Sequence, residues 1–304
     1  MSAPRVSVIL PVFNRASTLA RCVGSVRAQT FADWELVAVD DGSTDDSIAA
    51  LESIRDPRIR VLRHERNRGP SAARNTAMAA ASGDVFALLD SDDEWLPGKL
   101  AAQLDLLEIC DLCGCEYWLA EDGAERRVRL PEPPSWVEVL HTRCELGNGT
   151  TLMLRRKCAE EIGPFDEWMR VYEDWDWALR LVTRFRYSVV PEPLARVHGG
   201  GLRAARNFAI GAEFFLAKHD GEFARLGAQH RARVRAKHFE NVAANAFANR
   251  EFLLGSRYLV KSFAEFPAQS PARLGALVLA PVDALFGTSL IDRAAAWRRR
   301  RIGT

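Results

Sequence analysis

The sequence predicts an α/β protein: a doubly wound, mostly parallel sheet with flanking helices over residues 1–205, then a helical region over residues 206–304. Three observations carry that expectation. In the first third of the chain, period-two or continuously apolar runs alternate with runs of helical spacing, as in parallel strands joined by packed helices. Asn14, Asp40, Asp41, Asp90 and Asp92 fall at the carboxyl ends of the apolar runs, where open α/β sheets bind ligands. From about Phe208 the strand signals give way to long patterns rich in Ala, Arg and Phe.

Each element has its own signal. RVSVILPVFN (residues 5–14) is a strand closed by Pro11, and STLARCVGSVRAQ sets Leu19, Cys22, Val23 and Val26 on one helical face. WELVAVDDGSTDDS is a second strand running into a turn, with Ser43, Thr44 and Asp45 as candidate caps of the next helix. RIRVLRHERN makes a third strand, SAARNTAMAAASG a helix stopped by Gly83, and DVFALLDSDD a fourth strand. HFENVAANAFANREFLLGSRYLVKSFAEFP reads as a helical hairpin broken near Gly255 and closed by Pro267. One hairpin is not a helical repeat, which needs several copies.

Charge and cysteine content exclude several classes. Forty-one Lys and Arg against 40 Asp and Glu leave a formal charge of +1, so no global basic balance points to nucleic acid. The start MSAPRVSVIL lacks the pattern of a secretory signal, and the expectation is a cytoplasmic protein with reduced thiols. Cys110, Cys113 and Cys115, with His141 and Cys144, invite a zinc reading; the second spaced pair of a zinc module is missing, and small buried thiols account for them better. LGALVLAPVDALFGTSLI (residues 274–291) is interrupted by Pro281 and Asp283, too broken to span a bilayer. With Trp297 and Arg298 to Arg301 behind it, residues 274–301 read either as a segment lying on an anionic membrane surface or as a docked helix with a solvated basic tail.

The chemistry concentrates in VFALLDSDDEW, residues 85–95, where an apolar strand runs into Asp90, Asp92 and Asp93. Carboxylates this close raise one another's pKa unless a cation separates them. D-x-D spacing at a strand end suits a hard divalent cation such as Mg2+ or Mn2+, which also binds substrate phosphates. An EF-hand is excluded, because the sixth position of the loop is not Gly. A phosphohydrolase built on a strand and D-x-D is the enzymatic alternative, disfavoured by Glu94 two places after Asp92 and by the motif standing in the fourth strand. No G-x-G-x-x-G follows the first strand, which argues against a nicotinamide enzyme, and HGGG at His198 has no G-x-S-x-G to serve.

Three stretches together carry a family resemblance: VSVILPVFNRASTLARCVGSVRAQTFADWELVAVDDGSTDDS, NRGPSAARNTAMAAASGDVFALLDSDDEWLPGKL and IGPFDEWMRVYEDWDWALRL. From Val6 to His198 the chain resembles the GT-A-fold glycosyltransferases of family 2, with a Rossmann-like catalytic domain. The resemblance implies transfer of a sugar, with inversion, from a UDP-, GDP- or dTDP-sugar to an acceptor hydroxyl, UDP being favoured, in the synthesis of a surface polysaccharide or glycolipid. It implies that Pro11, Val12, Phe13 and Asn14 pack on the nucleoside and that Asp41, with Asp40 as second choice, accepts from the base. Arg74 and Ser91 then belong beside the diphosphate. Asp90 and Asp92 become ligands of Mn2+ or Mg2+, with Asp93 close enough to share that role. Asp174, with Glu173 as second choice, becomes the base that activates the acceptor. His198 is either a further metal ligand or an ordinary hydrogen-bonded histidine, and Trp175 and Trp177 either face the sugar or fill the core. The glycines after His198 suggest a loop that closes over the donor. The implied partners are the donor and a glycan or glycolipid acceptor; the charge balance argues against nucleic acid, and contact with an anionic membrane at its inner face goes with the first of the two readings of residues 274–301. A non-catalytic scaffold of the same fold is the remaining alternative, and the presence of Asp90, Asp92 and Asp174 argues against it.

Overall fold

A computed structural model describes residues 3–121, 123–130, 135–142, 148–199 and 203–267. Cys144, the glycines at 200 and 201, and the segment 274–301 lie outside the described residues. The chain divides into two compact units, Met1–Gly200 and Gly201–Thr304.

The first unit is built on a mixed sheet. β1 (Val6–Val12) is followed by α1 (Ala16–Arg27), whose Leu19, Cys22, Val23 and Val26 are buried as the spacing predicts. β2 (Trp34–Asp40), α2 (Ser47–Ser53), β3 (Ile59–Arg63), α3 (Pro70–Ala80) and β4 (Val85–Leu88) complete the expected alternation. These four strands are parallel in the order β3-β2-β1-β4, with Val12 opposite Asp40 and Asp40 opposite Arg63. Their carboxyl ends therefore share one rim. Val8, Leu10, Leu36, Ala38 and Ala87 are wholly buried within that core, as continuous apolar runs covered on both faces should be.

The other half of the sheet is less regular. After β5 (Glu94–Trp95) and α4 (Lys99–Leu106) come a long β6 (Leu112–Glu121), an antiparallel partner β7 (Ala124–Val128), and the short helices α5 (Trp136–Thr142) and α6 (Asn148–Thr151). β8 (Met153–Arg155) pairs antiparallel with both β4 and β6. α7 (Arg156–Ile162), α8 (Glu173–Val182) and β9 (Tyr187–His198) follow, β9 running parallel to β6 and antiparallel to β5. Cys113 and Cys115 alternate along β6 and are both buried; with Cys22, Cys110 and Cys158 they are free thiols, and burial pushes Cys115 up to about 11.

The second unit contains α9 (Ala205–Lys218), α10 (Asp220–Arg225), α11 (Ala228–Ala248) and α12 (Phe252–Glu265). The boundary read from the sequence at 205/206 falls in the first turn of α9. The hairpin break is at residues 249–251, where Arg250 takes φ 61°, and Gly255 lies inside α12. Its role is close packing: a Cβ there would stand 2.4 Å from the Phe247 ring of the preceding helix. The sequence signal of a glycine was real, and its cause was a helix contact rather than a turn.

Candidate active site

The rim of the parallel strands is organised by polar side chains. Asn14, just past β1, adopts φ 52°, and its amide oxygen accepts from the Thr44 N–H at 2.9 Å while its own N–H donates to Ser43 Oγ at 2.9 Å. This ties the first loop to the turn after β2. Gly42 in that turn has φ 72°, and a Cβ there would meet the Arg66 backbone at 2.7 Å, so both conformation and space require glycine.

The two adjacent aspartates do different work. Asp41 accepts from the backbone N–H groups of Arg68 (2.9 Å) and Gly69 (2.7 Å), and its Oδ1 lies 2.6 Å from His64 Nδ1. Both of its oxygens are thus spent closing the loop at 64–69. Asp40 is fully buried; its Oδ2 is 3.3 Å from the Ser43 N–H and 3.6 Å from Arg63 Nε, and its Oδ1 has no hydrogen-bond partner among the described residues. A buried acceptor left unmatched costs about 1–3 kcal/mol, which a ligand donor would recover. Phe13, beside them, is 40% exposed although aromatic.

Beyond β4 the chain turns through Asp90 to Asp93. Asp90 Oδ1 accepts from Arg74 Nη2 at 2.7 Å, and Arg74 Nη1 reaches Glu173 Oε1 at 3.3 Å. Arg74 is buried on α3 with Phe165 beneath its guanidinium. Burial works against its charge, yet Asp90 and Glu173, with Asp174 contributing, outweigh it and raise its pKa. Asp92 is held by Arg15 Nη2 at 3.1 Å, and Arg21 donates to the Asp92 carbonyl at 2.6 Å. Ser91 is buried, and its carbonyl accepts from the Thr18 hydroxyl at 2.7 Å.

Asp93 points inward. Its oxygens accept from the Thr150 hydroxyl and from the His198 N–H at 2.8 Å. Burial, reinforced by Asp90, pushes its carboxyl up to about 8 against the pull of those two donors. Thr150 also accepts from the Asp90 N–H at 3.1 Å, and its carbonyl takes the Trp95 indole N–H at 2.9 Å. A Cβ on Gly149 would sit 3.2 Å from Asp90 Oδ1. Sequence reasoning missed Thr150, Gly149 and Arg15. The small polar run at 148–151 signals only a turn, and nothing in its spacing connects it to a motif more than fifty residues earlier.

Glu173 and Asp174 open α8, where a helix N-terminus favours carboxylates, and Tyr172 precedes them at φ 72°. Asp174 is half-buried, and one of its oxygens accepts from the Trp175 N–H at 2.8 Å. Of the two readings of the tryptophans, the core one holds. Trp175 donates its indole N–H to the Leu140 carbonyl at 2.6 Å and stacks on Tyr172, and Trp177 donates to the Gly163 carbonyl at 3.1 Å and stacks on Phe165. The His198 ring, at the end of β9, lies 3.0 Å from Glu94 Oε1.

The arrangement brings Arg74, Asp90 and Glu173 into one ion bridge, with Asp174 next to it and Asp92 across the turn. No three His, Cys, Asp or Glu side chains form a ready metal cluster among the described residues. Asp90 Oδ2 and Asp92 Oδ1 nevertheless accept no hydrogen bond among the described residues, leaving one hard oxygen donor on each member of the D-x-D pair. That donor set fits a small divalent cation.

Comparison with known proteins agrees with the geometry. Residues 7–151 match the model for glycosyl transferase family 2. WfgD of Escherichia coli, a UDP-Glc:alpha-D-GlcNAc-diphosphoundecaprenol beta-1,3-glucosyltransferase, is 41% identical over 102 residues, 34% of this chain and 40% of that protein. The succinoglycan biosynthesis protein ExoO of Rhizobium meliloti (strain 1021) is 32% identical over 190 residues, 57% of this chain and 54% of that protein. The matches thus span 40% and 54% of the lengths of these curated relatives. In fold, S. aureus TarS 1-349 in complex with UDP-GlcNAc superposes with a TM-score of 0.66 at 21% identity, over 91% of this chain and 85% of that one. The alternation of strands and helices, the D-x-D turn at the sheet rim and these matches have one common explanation: the α/β unit has the GT-A fold, and residues 7–151 of this chain are a glycosyl transferase family 2 domain.

Proposed function

We propose that the chain transfers a sugar, with inversion, from a nucleoside-diphosphate sugar to an acceptor hydroxyl in the synthesis of a surface polysaccharide or glycolipid. The carrying observation is the buried Arg74 bridge, which fixes the D-x-D carboxylate Asp90 relative to Glu173 at the head of α8. Donor-side and acceptor-side machinery are thereby held as one unit. Polysaccharide- and glycolipid-synthesis relatives support the substrate class, and a UDP-sugar is the favoured donor.

Each residue has a part. Asp40, with its unmatched buried oxygen, is better suited than the fully committed Asp41 to accept from the base imide, and Pro11, Val12 and the exposed Phe13 flank the nucleoside. Asn14 and Asp41 shape the loops around it. Asp90 and Asp92 would hold Mn2+ or Mg2+, which when bound supplies positive charge to the departing diphosphate. Asp93 stands behind that pair, and His198, paired with Glu94, steadies it through its backbone N–H. Arg74 adds fixed positive charge where the leaving group becomes more negative. Asp174 takes the acceptor proton as the hydroxyl oxygen bonds to the anomeric carbon and the bond to the diphosphate oxygen breaks. Glu173, occupied by Arg74, is a positioning residue.

The reading places the enzyme at the inner face of the membrane. No helix among the described residues is long and apolar enough to cross a bilayer. The test is a thermal-shift panel of UDP-, GDP- and dTDP-sugars with and without Mn2+. One donor should stabilise the wild-type chain only with the metal, and Asp92→Ala should abolish the effect; a panel with no stabilising donor would overturn the proposal.

A further inference from the structure

Within the helical unit, α9 and α12 carry exposed apolar and basic side chains that no contact among the described residues explains. Arg206, Ile210 and Phe214 recur at four-residue spacing along α9, with Ile210 67% and Phe214 43% exposed. On α12, Leu253, Arg257 and Val260 form a similar stripe, Leu253 being 91% and Val260 67% exposed. The helices are linked side by side, since Glu213 of α9 accepts from Tyr258 (2.8 Å) and Lys261 (2.5 Å) of α12. Leu253 stands in the first turn of its helix with almost nothing against it.

The charge on this face is unbalanced. Arg206, Arg250 and Arg257 line one open cavity of about 530 Å³ together with Phe252, Leu253 and Leu254. None of the three arginines forms an ion pair among the described residues, and Glu251 is the one acid in the lining. An unmatched basic rim around exposed Leu and Phe calls for a partner that is anionic and apolar together.

Two other occupants fail on charge. Residues 268–304 contain six arginines and two aspartates, so that segment would add positive charge to a positive face. A second copy of the same face would repel in the same way. We infer that this face of the helical unit, centred on Arg206, Arg250, Arg257 and Leu253, binds the surface of an anionic phospholipid bilayer. The arginines meet lipid phosphates while Leu253, Ile210 and Val260 enter the headgroup boundary, the arrangement by which amphipathic helices lie in an interface. Residues 274–301, apolar then basic, have matching chemistry but lie outside the described residues, and the inference does not use them.

The experiment is vesicle sedimentation of the full chain, using phosphatidylcholine alone or phosphatidylcholine with phosphatidylglycerol. Wild type should sediment with the anionic vesicles and stay free of the neutral ones. The combined substitution Arg206→Glu, Arg250→Glu, Arg257→Glu should weaken binding by more than about tenfold, and Leu253→Asp alone should weaken it measurably. Both variants alter exposed side chains, and an unchanged circular dichroism melt will show that the fold is kept. Metal-dependent donor binding should be the same in all three proteins, so failure here is separable from failure of the transferase reading. Absence of wild-type binding to anionic vesicles overturns the inference. So does full binding by the triple variant, which would move the membrane contact to another part of the chain.

Discussion

Arg74 is the residue on which the site depends most. Its guanidinium is buried between Asp90 and Glu173, so the two carboxylates would confront each other without it. Arg74→Met should destabilise the fold by about 3–5 kcal/mol, because removing one partner leaves uncompensated buried charge. A urea midpoint equal to wild type would show that the bridge does not hold the site together. Arg74→Lys keeps one charge but cannot span both carboxylates, and should fall between the two. Asp174 makes the opposite contrast. It is half-buried and outside the Arg74 bridge, so Asp174→Asn should leave donor affinity unchanged and slow transfer by about 10²–10⁴-fold. Equal slowing of donor binding would reassign it from base to structural support.

At the scale of elements, the short helix α6 acts as the floor of the D-x-D turn. The Thr150 hydroxyl joins Asp93 to the Asp90 backbone, so Thr150→Val should weaken metal-dependent donor binding and cost about 1–3 kcal/mol, while Thr150→Ser should restore both. Similar behaviour of the two variants would argue against a role for the hydroxyl. At the start of α4, Lys99 is wholly buried with Nζ 2.5 Å from Gln103 Oε1 and over the Trp95 ring, and burial lowers its pKa to about 8. At this one group the unfolded chain binds more protons than the folded one between pH 8 and the ordinary lysine value of about 10.4, so the Lys99 contribution to stability rises across that window, against buried thiols such as Cys115, whose raised pKa contributes a fall. Lys99→Met should remove that contribution and make the slope of the denaturant midpoint against pH more negative than in wild type; an unchanged slope would exclude Lys99 as its source. The parallel half of the sheet was legible because β1, β2 and β4 are mostly apolar, buried runs ending in polar residues. The mixed half was not, since β5 and β8 are two and three residues long and take their place only through partners distant in sequence. The aspartates themselves could be named from their spacing, but Asp40 and Asp41 differ only in which loop groups fold back on them.

At the scale of the whole molecule, the family domain explains the first unit, and the helical unit carries no motif of comparable specificity. The candidate donor-site residues were therefore readable from strand ends, whereas the patterns of the helical unit report packing alone. The account rests on a metal-dependent sugar-nucleotide site at the rim of β1 to β4. Its most direct test is release of nucleoside diphosphate from a panel of sugar nucleotides by the purified full chain, with Mn2+ and with EDTA. The account predicts turnover of one donor with Mn2+, its loss in EDTA and its loss in Asp92→Asn. Turnover that is equal in EDTA, or that survives in Asp92→Asn, would contradict it.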